Sequence, residues 1–292
     1  MVFETRDLEP PLLARSSLEV SCALDGGDVR WTRERTEGGR VVLRFGRSGE
    51  DVVSDWVGEG VLRANREGTR GVFTAANGQR FDACRSSELR DGTIAAYMRH
   101  LQGKVTLHAS CVALGGRAVA FAGNSGAGKS TIAAALCRSS RAALLADDTL
   151  ALERSHTGFE VVPTETSHSL RDDSARHMRL RARAGVKSDV AASRAGAGPT
   201  ALHAIVNLAT SEKASEPAMR RLRGPHAFVC VTGQLFRFVL DEPAVDLHDF
   251  EQVCALIRAV PIYELVRTTS LSALDRSVRL VLGEFSEGAG HP

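Results

Sequence analysis

The stretch Gly123-Asn124-Ser125-Gly126-Ala127-Gly128-Lys129-Ser130 constrains this chain more than any other. It fits the pattern G-x-x-x-x-G-K-[ST], whose glycines let successive backbone N–H groups turn toward one anion. The apolar run Ala118–Ala122 enters the loop as a strand. An Ala-rich segment, Ser130–Ser140, with Ile132 and Leu136 four apart, leaves it as a helix. The start of that helix adds the positive end of its dipole. Lys129 is placed to reach the β- and γ-phosphates of a nucleotide, and Ser130 to hold Mg²⁺. Gly123–Thr131 is therefore expected to grip ATP or a similar nucleoside triphosphate, within a domain of α/β class.

The rest of the composition narrows the partners. The chain has 292 residues and a formal net charge of +2, so no global charge points to nucleic acid. No run of eighteen apolar residues is present, so no membrane span is expected. Met1–Pro11 lacks a basic start followed by an apolar stretch, which argues against a secretory signal. The six cysteines are scattered without a C-x-x-C. They read as reduced and mostly buried, which places the chain in the cytoplasm and argues against a zinc site.

Residues 1–95 differ in texture from the remainder. Leu18–Leu24, Val29–Arg35 and Val41–Phe45 are short alternating stretches, separated by Asp25-Gly26-Gly27-Asp28 and by Glu37-Gly38-Gly39. Asn77-Gly78 is a hairpin-turn dipeptide. This pattern predicts a small N-terminal β-rich, antiparallel domain, with a second domain over 96–292. In the second domain, strands are expected at Val105–Leu114, Arg117–Ala122, Ala142–Ala146, Leu202–Leu208 and Pro261–Val266. Helices are expected at Asp246–Val260, with Phe250, Val253, Cys254 and Ile257 on one face, and at Ser270–Phe285, with Ser270 as N-cap. Phe228–Leu240 is ambiguous between helix and strand. Pro163–Ser174 and Ser188–Thr200 read as loops, the latter as a mobile lid or a disordered insertion.

Topology brings in Asp147 and Asp148. A helix between two strands makes a parallel crossover, so the strand ending at Ala146 finishes on the same sheet edge as the glycine loop. Ligands of open α/β sheets bind at that edge. If the two strands are neighbours, both acids approach the phosphates. Successive strand residues point to opposite faces, so one aspartate could face the metal and the other an incoming hydroxyl. A turn cap after the strand is the other reading. Asp147 follows Lys129 by only eighteen positions, a spacing that occurs in small-molecule kinases as well.

Leu107-His108-Ala109-Ser110, then Gly123–Thr131, then Leu145-Ala146-Asp147-Asp148 resembles the HPr serine kinase/phosphorylase family. The match is with the HPr-kinase-related proteins that carry a different N-terminal domain. Leu202–Leu208 and Pro261–Leu274 are similar to that group as well. The resemblance implies a P-loop kinase domain of the HPr kinase/phosphoenolpyruvate carboxykinase type, with ATP and Mg²⁺ as cofactors. It implies that His108 lies near the phosphates; read alone, His108 is a strand histidine. It implies that Asp148 orients and deprotonates the acceptor serine, and that Asp147 helps to hold Mg²⁺ through water. Lys129 completes the catalytic set, and Ser130 with Asp147 the metal set. The glycine-rich signature that follows the aspartates in HPr kinase proper is absent; Pro163-Thr164-Glu165-Thr166-Ser167-His168-Ser169-Leu170-Arg171 stands there. Related kinases act on other targets, precursor peptides of ribosomally made natural products among them. The expected partner is thus a protein or peptide bearing the acceptor serine, with no nucleic acid and no membrane; a homo-oligomer is left open. A small-molecule hydroxyl kinase and a nucleotide-dependent regulatory or binding module are the alternatives.

Weaker features remain. Arg176, Arg179, Arg181, Arg183 and Lys187 read either as a clamp for phosphates or an acidic peptide, or as a solvated helix face. Arg171 and Glu165 are candidates for supporting the metal or its ligands.

Overall fold

The structure is a computed structural model that describes residues 17–21, 28–76, 89–180, 188–238, 243–268 and 270–286. The Asn77-Gly78 turn and the basic residues Arg181, Arg183 and Lys187 lie outside the described residues. The chain divides into two units: Met1–Val105 with Phe236–Phe250, and Thr106–Leu235 with Glu251–Pro292.

The first unit holds a six-stranded sheet. Its strands are β1 (Ser17–Ser21), β2 (Arg30–Glu37), β3 (Arg40–Ser48), β4 (Asp51–Trp56), β5 (Gly60–Ala64) and β6 (Arg70–Ala75). They are ordered β1-β6-β5-β4-β3-β2. From β2 to β6 each pair is antiparallel, as the alternating pattern predicts, whereas β1 joins β6 in parallel. Alternation sends Val52, Leu62 and Phe73 into the core. The edge strand β2 is exposed at every position and rich in charge, which protects an open edge from pairing with other chains. A π-helical turn, Leu89–Ile94, leads into helix α1 (Ala95–Leu101). Tyr97 of α1 stands edge-on to Phe238, with ring centroids 4.9 Å apart, and packs against Phe45 at 5.9 Å.

The second unit is built on a mixed sheet covered by helices. Its early elements are β7 (Thr106–Leu107), β8 (Ser110–Leu114), β9 (Arg117–Ala122), helix α2 (Lys129–Ser139) and β10 (Ala143–Ala146). The hairpin β11 (Leu150–Ser155) and β12 (Gly158–Val162) follows. Then come β13 (Ser167–Leu170), helix α3 (Asp172–His177), β14 (Ser188–Ala191), β15 (Thr200–Thr210) and β16 (Ala218–Leu222). Helix α4 (Gly224–Thr232), helix α5 (Pro243–Ala259), whose residues up to Phe250 belong to the first unit, strand β17 (Ile262–Arg267) and helix α6 (Leu274–Phe285) follow. β9, β15 and β17 run parallel side by side. The long β15 also pairs with β12 through its first residues.

Several expectations change here. Val105–Leu114 is two strands, broken at His108-Ala109. β10 is parallel to β9, as the crossover argument requires, yet the two are not neighbours: β8 lies between them, antiparallel to both. Pro163–Ser174 is not a loop, since it contains β13 and the start of α3. Ser188–Thr200 is not a disordered insertion. β14 pairs with β13, and the segment after it bonds the edge of β10, where Leu144 N–H donates to Arg194 O at 2.9 Å and Gly196 N–H to Leu144 O at 2.7 Å. A side chain at Gly196 would collide with Leu145, so glycine is what lets this segment lie on the strand. On α5, Val253 and Leu256 are buried, whereas Phe250 is 53% exposed. Ser270 makes no capping bond; a 3₁₀ turn, Leu271–Ala273, precedes α6, and the Ser270 and Ser272 hydroxyls lie 2.8 Å apart.

The core of this unit forms where α2 and α6 meet the sheet. Ile132, Ala133 and Leu136 of α2 are fully buried, with Val119, Phe121 and Val206 of the sheet. On α6, Leu274, Val278, Val281 and Phe285 recur at helical spacing on the buried face. Each large apolar side chain buried in this way is worth roughly 1.5–3 kcal/mol. That burial fixes the strand ends between which the candidate site forms.

Candidate functional site

The site grows from the carboxyl ends of β9, β15 and β17. The glycine loop leaves β9 at Gly123, whose φ of 135° is open only to glycine. A side chain there would meet Leu208 O of β15 at 2.8 Å. Gly126 and Gly128 also lie at positive φ, 81° and 89°, and Gly128 is the residue that starts α2. The loop therefore turns with backbone alone, and the first N–H groups of α2 lack acceptors within the helix. This is the chemistry of an anion cradle. Lys129 is 5% exposed, and its ammonium donates to Gly123 O at 2.9 Å and sits 3.5 Å from Asn124 O.

Asp147 and Asp148 follow β10 and take different places. Asp147 is buried. Its Oδ1 accepts from the Ser110 hydroxyl at the head of β8, and its Oδ2 from the Ser169 N–H of β13 at 2.8 Å. Burial raises its pKa; the bonds from Ser110, Ser169 and Ser130 pull the other way, while the Asp148 charge adds to the rise. Asp147 thus stands behind Ser130 rather than lining the cavity, and a cation at Ser130 would favour its ionised form.

Asp148 has φ of 69°, in the left-handed region that Asp enters more readily than most non-glycine residues. His108 bonds to this residue: the ring Nδ1 lies 3.1 Å from Asp148 O. A carbonyl can only accept, so the proton is on Nδ1. The His108 backbone N–H in turn donates to Gln234 O at 2.7 Å, in the break between β7 and β8. The strand break that the sequence pattern missed is what aims His108 at the site.

Around these groups lies a cavity of about 370 Å³. It is lined by His108, Ser125, Gly126, Gly128, Lys129, Ser130, Thr131, Asp148, Ser169, Arg171, Asp173, Ser174, Arg267 and Leu271. Its volume suits a small-molecule site. The residues singled out in the sequence thus converge, except that Gly123, Asn124 and Ala127 shape the loop from behind, as Asp147 does from β10. Arg171 lines the cavity beside Gly126, whereas Glu165 does not line it. Arg176 and Arg179 are exposed on and just after α3 and lie outside the cavity.

Arg267 was not singled out. It ends β17, is 5% exposed, and donates to Ala127 O at 2.5 Å. Burial pushes its pKa down from the usual value, yet a guanidinium keeps its proton in any such setting. The available signal was its position: it follows directly on the expected strand Pro261–Val266, at the ligand edge of a parallel sheet. Ser169 and His168 point to opposite faces of β13, and buried His168 is held neutral, down to about 4.

The donor set fits a magnesium–nucleoside triphosphate. Backbone amides, Lys129, Arg171 and Arg267 supply positive charge, and Ser130 with Asp147 behind it supplies oxygen for a hard cation. Among the described residues no three His, Cys, Asp or Glu side chains form a metal cage, and Mg²⁺ needs none when phosphates complete its shell.

No family model matches this chain, and no curated protein matches it. Among solved structures it is similar to the Hpr(Ser) kinase/phosphatase from Coxiella burnetii, at 14% identity and a TM-score of 0.35. That comparison covers 63% of this chain and 99% of the other, and it is a distant likeness of mixed α/β fold.

Proposed function

We propose that this chain is an ATP-dependent kinase that transfers the γ-phosphoryl group to a hydroxyl, on a serine of a protein or peptide. The observation that carries the reading is Asp148, a carboxylate on the wall of the cavity that Lys129 and the glycine loop also line. A carboxylate on that wall, beside Lys129 and the glycine loop, is placed to accept a proton during transfer. The serine acceptor rests on the resemblance of the His108, Gly123–Thr131 and Asp147-Asp148 motifs to HPr-kinase-related proteins.

In this reading the loop amides and Lys129 bind the β- and γ-phosphates, and Arg171 and Arg267 flank them. Ser130 and Asp147 would hold Mg²⁺, which would neutralise charge on the phosphates. Asp148 accepts the proton of the acceptor hydroxyl as its oxygen bonds to the γ-phosphorus. The bond from that phosphorus to the bridging oxygen breaks, and ADP leaves. His108 keeps Asp148 in place through its backbone carbonyl. The transition state is loose, so positioning and charge do most of the work.

Incubating the purified chain with γ-labelled ATP, serine-containing peptides and a pool of small hydroxyl compounds tests this. Label in a peptide is the expected result. Label confined to small molecules assigns a metabolite kinase instead, and free phosphate alone assigns a hydrolytic switch.

A further inference from the structure

We infer that the open edge of β16 is the docking strand for the acceptor: an acidic, extended peptide segment that adds to the sheet beside it. This deepens the kinase reading and rests on it. β16 pairs with β17 along one edge, and among the described residues its other edge pairs with no strand. The strand is largely exposed, so its unpaired N–H and C=O groups are available to a further strand.

The register gives that edge a direction. Ala218 stands opposite Val266, next to Arg267 of the cavity, whereas Leu222 stands opposite Ile262 at the far end. At the far end Arg221, Leu222 and Arg223 line a second cavity of about 220 Å³ with Ile257 and Ile262. No carboxylate lines it, and both arginines are exposed. Arg220 has its own partner, Glu264 on β17 at 2.7 Å. Arg221 and Arg223 are therefore the cations left to meet an incoming acid. Arginines on an edge also deter pairing with the chain's own neutral or basic strands, so charge selects what adds.

The reach is consistent with one peptide serving both places. β9, β15, β17 and β16 lie in sequence across the sheet. Strands are spaced about 4.8 Å apart, so an added strand runs roughly 19 Å from the loop after β9. At about 3.3 Å per residue, some six residues cross to it and about five more follow β16 to the arginines. The acidic residues are thus expected roughly ten positions from the acceptor serine.

The test uses the full chain and short fluorescein-labelled peptides in which glutamates alternate with threonine and valine, read by fluorescence anisotropy. The glutamate peptide is expected to bind, and its lysine counterpart not to. N-methylation of alternate backbone amides should weaken binding by roughly tenfold or more, because strand addition depends on those N–H groups. The double variant Arg221→Glu/Arg223→Glu should lose a similar factor while keeping its circular dichroism and its ATP affinity. Equal binding by the N-methylated peptide, or by the double variant, overturns the proposal. So does sedimentation showing a dimer that the double variant dissolves, since the edge would then serve a second copy. Binding is read without turnover, so its outcome stands apart from the kinase reading; a longer peptide with a serine about ten positions from the glutamates that docks but receives no phosphate overturns the kinase reading alone.

Discussion

The two units place their buried polar groups differently. In the first, Arg99 and His100 bond to backbone groups of that unit. Arg99 donates to Val105 O at 3.2 Å, and His100 accepts the Phe238 N–H at 3.1 Å. In the second, Lys129, Asp147 and Arg267 arrive from α2, β10 and β17 and gather around one strand edge. That edge also holds Gly123, Gly126, Gly128 and Asp148, all at positive φ. Buried charge is expensive, and a bound anion would offset its concentration at one strand edge. The comparison marks this edge, and not the core of the first unit, as the candidate site.

The largest effect expected on that contrast is at Asp148. Asn keeps the shape and tolerates the left-handed backbone but cannot take a proton. Asp148→Asn should lower phosphoryl transfer by roughly 10²–10⁴-fold while Mg-ATP still binds. Asp147→Asn should instead weaken the metal, with extra Mg²⁺ restoring part of the rate. Transfer rates against Mg²⁺ for both variants decide it: rescue of the Asp148 variant by metal means the roles are reversed. If neither variant is slowed, the catalytic reading falls.

A smaller effect, on stability alone, is expected in the first unit. Burial chiefly, helped by the charges of Arg237 and His248, holds His100 neutral, down to about 4 from 6.5. The unfolded chain takes up that proton first, so stability is full above pH 6.5 and falls as the pH drops toward 4, by at most about 3 kcal/mol. Asp249, its carboxyl raised by burial and 3.6 Å from His100 Nε2, works in the opposite sense. Comparison with His100→Gln therefore isolates the histidine. Both tryptophans, Trp31 and Trp56, lie in the first unit, so urea unfolding followed by their fluorescence reads it directly. The parent's midpoint should fall more between pH 6.5 and 4.5 than the variant's, and ATP affinity at neutral pH should be the same for both. Parallel pH profiles would contradict the assignment.

What the sequence disclosed followed from how local the cause was. The glycine loop and Lys129 are legible because positive φ, helix start and charge all lie within eight residues. Asp148 is legible through crossover topology, although β8 intervenes between β9 and β10. Arg267 is not, because its reach to Ala127 depends on β17 lying beside β15, a long-range pairing with no local mark. The β13–β14 pair was hidden for a related reason. Its Ser- and Gly-rich residues read as loop, and they are ordered by bonds to Asp147 and to the edge of β10. The contribution of Phe238 to the first unit was hidden inside a stretch whose periodicity favoured neither helix nor strand.

The central claim is that the edge where Lys129, Asp148 and Arg267 gather is a triphosphate site. Calorimetric titration of the full chain with ATP and with AMP, each with Mg²⁺, tests it most directly when repeated on Lys129→Ala. The account predicts that ATP binds and AMP binds far more weakly, because the loop holds the β- and γ-phosphates. It also predicts that the variant, with unchanged circular dichroism, loses roughly 10–100-fold in ATP affinity, the worth of a charge-assisted contact. Equal affinity for ATP and AMP, or an unaltered Lys129→Ala titration, would contradict it.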